Sequence, residues 1–411
     1  MKSRNDVTSR FSLDVVDHRE LLDLFEIRFG TCWNVSRSEI AFPAALDFSV
    51  KVRRDRDNGR IVQITRGSKL SNRDLDVLLE QIAADLLDKR IAEYGIEILF
   101  AHRPVAGSFC SAVIPLQISP PPDDAPRAPW LHADHPFTLT YPLRACRTPQ
   151  IRMRRRYKNA VEWAWVLNGL LRGSIKYHGP RPRNMWAIKS GAANEGCFWA
   201  QEFYIVEGRE AFAAALNDPG TPLPVVAADV YFGDLRKRAS AWLSFDTFTV
   251  PDNLDTILGA FVGLKGPMRR QFMQAAATIY VAARVWEVSV SAHLVACVQA
   301  IESLIERPAA TTFLRFWRKR PPGLVKQFRD FCEQFGEGAE IDPKTLDTLY
   351  DVRSALVHGR YLFELDSAPW GGVASSVARS HEHDAFFSAL SLAKTVLRNW
   401  LLATAGAEEL S

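Results

Sequence analysis

The chain has 411 residues, 47% of them hydrophobic and 24% charged, proportions typical of globular proteins that exclude disordered and fibrous classes. One core rarely serves more than roughly 250 residues, so two or three domains are expected. Lys and Arg outnumber Asp and Glu by 51 to 47, a net charge of +4 that permits contact with a polyanion without requiring it.

The first residues, through Asp14, contain no apolar core of the secretory kind. No stretch reaches the roughly 18 uncharged apolar residues of a spanning helix, so a cytoplasmic protein with no membrane contact is expected. Apolar alternation over Leu46, Phe48, Val50 and Val52, followed by Asp57-Asn58-Gly59 and a second apolar run to Ile64, predicts a hairpin closed by Asn58-Gly59. Ser71 with Asp74 three residues on predicts an N-cap. Leu75, Leu78, Leu79, Ile82, Leu86 and Leu87 then recur at helical spacing, giving an amphipathic helix that ends before Gly95. Strands are expected at Ile96 to Phe100 and Ala112 to Ile118, and the Pro-rich run from Ser119 to Pro126 reads as an exposed linker. Residues 1–118 thus form a β-rich α+β region.

Residues 130–260 read as mixed α/β, with a helix over Tyr157 to Leu171 and strands over Cys197 to Val206 and Val225 to Phe232. After Gly266-Pro267 the pattern becomes helical. A long apolar-periodic stretch from Met268 to Ile305 weakens at Val288 to Ser291, where β-branched and Ser residues lower helix propensity. Further helices are expected over Thr312 to Phe335, interrupted by Pro321-Pro322, from Pro343 to His358 with Gly359 as the stop, and over His383 to Leu402. The expected fold is therefore α+β: a mixed, β-rich N-terminal region followed by an all-α bundle of four or five helices over residues 265–405.

On a helical wheel of the Pro343 segment, Leu346, Leu349, Tyr350, Leu356 and Val357 make one apolar stripe, and Arg353 falls near its centre. An unpaired buried guanidinium is costly, so Arg353 requires a partner, an interface or a ligand. Asp347, Asp351 and His358 share the flanking polar side. His358 lies in the last turn, where the helix dipole favours an imidazolium. A plain structural account also fits: a surface histidine near a C-cap, beside an arginine paired with a buried carboxylate.

The run from Arg353 to His358, an arginine and a histidine separated by four residues, resembles the motif of the HEPN superfamily. Tyr350 to Ser354 with Val357-His358-Gly359 is similar to its ApeA-like branch in particular, and Glu302 within Ala300-Ile301-Glu302-Ser303-Leu304 is similar to the acidic position of that branch's earlier helix. The likeness runs from Met268 to Leu402 and leaves the first 260 residues outside it. Ser354 departs from the polar amide or acid that many HEPN ribonucleases carry after the arginine.

The resemblance implies a homodimer through these helices, with two motifs forming one cleft that cuts RNA without a metal or other cofactor. Arg353 and His358 would be the catalytic pair, supported by Glu302, Ser354 and Asp351. Arg353 would grip phosphate through its planar fork, His358 would act as acid or base, Glu302 would hold Arg353, and Ser354 would donate to phosphate. The N-terminal region would sense an unknown trigger, as in anti-phage defence by abortive infection. Two other readings stay open: a non-catalytic HEPN protein that binds RNA or a protein partner, and an enzyme housed in the N-terminal region with the bundle as a dimerisation handle.

Basic runs occur at Arg152, Arg154, Arg155, Arg156 and Lys158, and at Arg315, Arg318, Lys319 and Arg320 around Trp317. The second is a weak candidate for RNA contact, since such runs are more often solvated helix faces. His132-Ala133-Asp134-His135 and His381-Glu382-His383 lack complete ligand sets, so no metal site is expected. Neither a P-loop nor a GxGxxG is present. The six cysteines lie far apart with no CxxC, and are read as ordinary thiols. Trp163, Trp165, Trp186 and Trp199 are read as core aromatics before base-stacking platforms.

Overall fold

The computed structural model describes residues 16–409 apart from 44–47, 57–59, 68–69, 89, 121–134, 145, 178–186, 191–196, 201–219, 233–246, 287, 306–322, 338, 340–341 and 368–375. The fold is α+β, with strands concentrated towards the N-terminus and helices towards the C-terminus. Two compact units divide the chain: Met1–Gly95 with Pro142–Asn159, and Ile96–Tyr141 with Ala160–Ser411. The division is not sequential, since part of the 130–260 segment belongs with the first unit.

In the first unit, β1 (Trp33–Ser36), β2 (Glu39–Pro43), β3 (Phe48–Arg54) and β4 (Ile61–Arg66) form an antiparallel meander. The period-two pattern sets its register. Val52 lies opposite Ile40 on one side and Ile64 on the other, so three β-branched side chains stack across one face. The helices α1 (His18–Phe29) and α2 (Asn72–Ile82) bring Leu21, Leu24, Phe25, Leu75, Leu78 and Ile82 into the same core. Ser71 caps α2 by accepting from the Asp74 N–H at 3.1 Å, as the sequence predicts. The predicted β3–β4 pairing is present, while Asn58-Gly59 lies outside the described residues.

The first basic run is consumed inside this unit. It sits on α3 (Pro149–Leu170), where Arg155 makes a two-pronged pair with Glu20, Nε to Oε1 at 2.9 Å and Nη2 to Oε2 at 2.8 Å. Arg154 pairs with Asp23, Lys158 with Asp17 and Arg152 with Glu93. Acids of α1 and β5 (Ile91–Ala101) thus offset these charges.

In the second unit, β6 (Phe109–Cys110), β7 (Gln117–Ser119), β8 (His135–Arg144), β5 and β9 (Ile175–Lys176) form one sheet in the order β6-β7-β8-β5-β9. The strand expected over Ala112 to Ile118 is confined to β7. Ser111 Oγ accepts from the N–H groups of Val113 and Ile114, and Asp255 accepts from the Ala112 N–H, which fixes a turn there. β10 (Ala187–Ser190) pairs antiparallel with β11 (Cys197–Ala200), which is the described part of the strand expected over Cys197 to Val206. The segment Val225 to Phe232 is corrected: β12 (Val225–Val226) pairs parallel with β13 (Val250–Pro251), and α4 (Ala228–Phe232) follows. Asp252 accepts from the Ala228 N–H at 3.0 Å, so a residue 24 positions on caps a helix that local propensity disfavours.

The helical core is built from α5 (Leu254–Gly263), α6 (Gly266–Val285), α7 (Val290–Leu304), α8 (Leu324–Phe335), α9 (Pro343–Val357) and α11 (Ser376–Glu409), with α10 (Glu364–Ser367) a single turn. The weak point at Val288 to Ser291 is the α6–α7 break, where Ser289 caps α7 through the Ala292 N–H. Phe272, Ile279, Leu294, Ile301, Leu349 and Leu397 join one cluster, which also takes in Val166 and Leu170 of α3 and Ile257 and Phe261 of α5. No described helix is long and apolar enough to cross a membrane. Cys32, Cys110, Cys146, Cys297 and Cys332 are free thiols.

Candidate active site

Two helices position the candidate residues. α7 buries Leu294, Cys297, Val298, Ile301 and Leu304, which leaves Glu302 at the edge of that face. Asp366 holds its N-terminus by accepting from Ser289 Oγ and from the Val290 and Ser291 N–H groups. Burial pushes the Asp366 carboxyl up, but these hydrogen bonds outweigh it and the net shift is downward. α9 starts at Asp342, which accepts from the Thr345 N–H at 2.9 Å, with Pro343 at the first helical position. Leu346, Leu349 and Tyr350 are buried, so Arg353, one turn beyond Tyr350, meets the flank of α7.

There Arg353 Nη2 donates to Glu302 Oε2 at 2.7 Å, and the Tyr350 hydroxyl donates to Glu302 Oε1 at 3.1 Å. The two side chains of the ion pair are 23% and 15% exposed, so the pair is shielded but reachable. The guanidinium carbon lies 5.7 Å from the Tyr350 ring centre, and Phe328 of α8 packs against that ring at 5.2 Å. Arg353 Nε is buried without an acceptor among the described residues. The guanidinium that the wheel placed on the apolar stripe has its carboxylate partner, yet keeps an unused donor.

His358 is the C-cap of α9. Gly359 adopts a left-handed φ of 67°, its N–H bonds the Leu356 carbonyl, and the Arg360 N–H bonds the Ala355 carbonyl, the pairing of a Schellman stop. The His358 side chain is exposed and has no hydrogen-bond partner among the described residues. It lies five positions beyond Arg353, which is about 140° around the helix axis and about 7.5 Å along it. Within one chain the two residues therefore face different directions. The apolar stripe also stops early: Leu356 is half-buried against the helical core and Val357 is 50% exposed.

Ser354 is half-buried, and its carbonyl accepts the His358 N–H at 3.1 Å. Asp351 is exposed, and its side chain has no hydrogen-bond or ion-pair partner among the described residues. Asp347 pairs with Arg329 of α8 at 3.1 Å. Arg315, Arg318, Lys319 and Arg320 lie outside the described residues, as do His132 to Asp134 and the side chains of His381 to His383. Among the described residues no three His, Cys, Asp or Glu side chains are grouped as metal ligands would be. Sequence reasoning missed the role of Tyr350, whose signal is its place three residues before Arg353. Compared with family models, curated proteins and solved structures, the chain matches none.

Proposed function

We propose that this chain is a HEPN-type RNA endonuclease, metal-independent and cytoplasmic, that works as a homodimer and is restrained by its N-terminal region until a trigger is sensed, in the manner of abortive anti-phage defence. The observation that supports this reading is the half-shielded Arg353, 23% exposed and held by Glu302 through a single nitrogen. Such a fork is prepared for a phosphate oxygen. Because Arg353 and His358 diverge within one chain, the reading needs a second copy to complete the cleft. The exposed Val357, Tyr361 and Leu362 beside His358 supply apolar surface for that contact.

In the reaction a ribose 2′-oxygen attacks the adjacent phosphorus, the bond to the 5′-oxygen breaks, and a 2′,3′-cyclic phosphate and a 5′-hydroxyl result. His358 takes the 2′ proton or gives one to the leaving oxygen. Arg353 stabilises the charge on the equatorial oxygens, and Ser354 adds a donor. The test is to incubate wild type, Arg353→Ala and His358→Ala with end-labelled RNA in excess EDTA. Cleavage by the wild type alone, leaving cyclic phosphate ends, is expected. Equal cleavage by all three proteins would overturn the assignment.

The competing reading is a non-catalytic protein that binds RNA or a protein partner. It draws on the bonds by which Glu302 ties Arg353 and Tyr350 together, which serve packing on their own. If Arg353→Ala unfolds the chain and His358→Ala changes nothing measurable, that reading gains.

A further inference from the structure

The buried face of α11 is apolar at Ala389, Leu390, Ala393, Val396 and Leu397, but it also carries the buried Arg398, with the half-buried Lys394 one turn before it. The Lys394 ammonium donates to the carbonyls of Leu171 at 3.0 Å and Gly173 at 2.7 Å, just past the end of α3. Arg398 is 9% exposed. Its Nε and Nη2 donate only to the neutral Asn399 Oδ1, at 3.3 and 3.2 Å, and its guanidinium carbon lies 3.7 Å from the Phe232 ring centre. Arg172 faces the same space from beyond α3, 5.6 Å from the Tyr231 ring centre. These three cations line one half-open pocket with the hydroxyl residues Ser391 and Thr395.

Among the described residues no carboxylate lines this pocket, and neither Lys394 nor Arg398 has an acidic partner. His102 packs against Gly173, and its neighbours include Lys394, Arg103, His135 and Lys176. Burial pulls Lys394 down to about 7, and burial with the nearby Arg172 pulls Arg398 down to about 10. Gathering like charges in a poorly hydrated space is unfavourable unless something compensates them. Lysine can escape by losing its proton, but the guanidinium stays charged at neutral pH. Residues 391, 394, 395 and 398 share one helix face, so two hydroxyl residues, a lysine and an arginine line the same pocket. That donor set suits a tetrahedral oxyanion.

We propose that the pocket formed by Arg172, Lys394 and Arg398 with Ser391 and Thr395 binds a phosphoryl anion, either inorganic phosphate or the terminal phosphate of a nucleotide. This site is separate from Arg353 and His358 and does not depend on the ribonuclease reading.

The test follows thermal unfolding of the full chain at constant ionic strength, titrating inorganic phosphate against chloride, with adenosine diphosphate and adenosine in parallel. A ligand that binds only the native state raises Tm, by about 2–4 °C at roughly five times its Kd for a unit of this size. The wild type is expected to show that saturable rise. Arg398→Gln and Lys394→Met should lose it while their own Tm without phosphate stays level or increases. Thr395→Val, which keeps all three cations, should weaken the response if either cation variant fails to fold. A rise with phosphate but not with the nucleotide assigns a free anion, and a rise with both but not with adenosine assigns a nucleotide phosphate. No rise with either, or an equal rise in the wild type and all three variants, would overturn the proposal. Arg353→Ala should respond like the wild type, so failure here and failure of the ribonuclease reading are distinguishable.

Discussion

Glu302 receives Arg353 on one carboxylate oxygen at 2.7 Å and Tyr350 on the other at 3.1 Å, so each partner's loss exposes a different deficit. Glu302→Ala leaves a half-buried guanidinium unpaired and should cost about 1–3 kcal/mol. In a double-mutant cycle with Arg353→Ala, measured by urea unfolding, the coupling should be about 1–2 kcal/mol. Additivity to within about 0.3 kcal/mol would mean that the pair does nothing for stability.

Arg353→Lys separates charge from shape. Lysine can still reach towards Glu302 but lacks the planar fork whose Nε–H is unused. Stability is expected to change by less than about 1 kcal/mol, while RNA cleavage should fall at least about tenfold, the loss of one charged hydrogen bond. Wild-type rates in the lysine variant would show that the fork is not used.

Neighbouring arginines on α3 should behave differently although the sequence treats them alike. Arg155 is 6% exposed, bonded twice to Glu20 and also to the Asp85 carbonyl. Its replacement by Ala should cost about 3–5 kcal/mol. Arg154 is 57% exposed beside Asp23, and Arg154→Ala should cost less than about 1 kcal/mol. Equal denaturation midpoints for the two variants would contradict this contrast.

Acid should destabilise the fold through His102. Burial first, then the charges of Lys394, Arg103, His135 and Lys176, pull its imidazole from 6.5 down to about 4. Between those values the unfolded chain binds a proton that the native state refuses. Stability therefore falls as pH drops from about 6.5 towards 4, by up to about 3 kcal/mol, and flattens below. Urea midpoints at both ends of that window should converge in His102→Gln. An unchanged pH slope in the variant would remove His102 as the cause.

Local signals were legible and long-range ones were not. The Ser71 cap, the α6–α7 break and the Gly359 stop involve residues within a few positions of one another, so the sequence determines them. The Glu302–Arg353 pair spans 51 positions and was reached only through a family resemblance. α4 was misread because Val230, Tyr231 and Phe232 favour strand, while the cap that decides the matter comes from Asp252. Lys394 and Arg398 read as ordinary basic residues at helical spacing, since nothing local reveals that the face they share is the buried one.

α11 packs against α5, α6, α7 and α8, yet it follows all of them in the chain. Synthesis proceeds at about 5–20 residues per second, so the earlier helices leave the ribosome several seconds before the surface that covers them exists. Nascent chains stalled before Ser376 should bind a hydrophobic dye, and extension through α11 should abolish that binding. The order of translation thus sets a delay during which that apolar surface stays uncovered, ending when α11 docks.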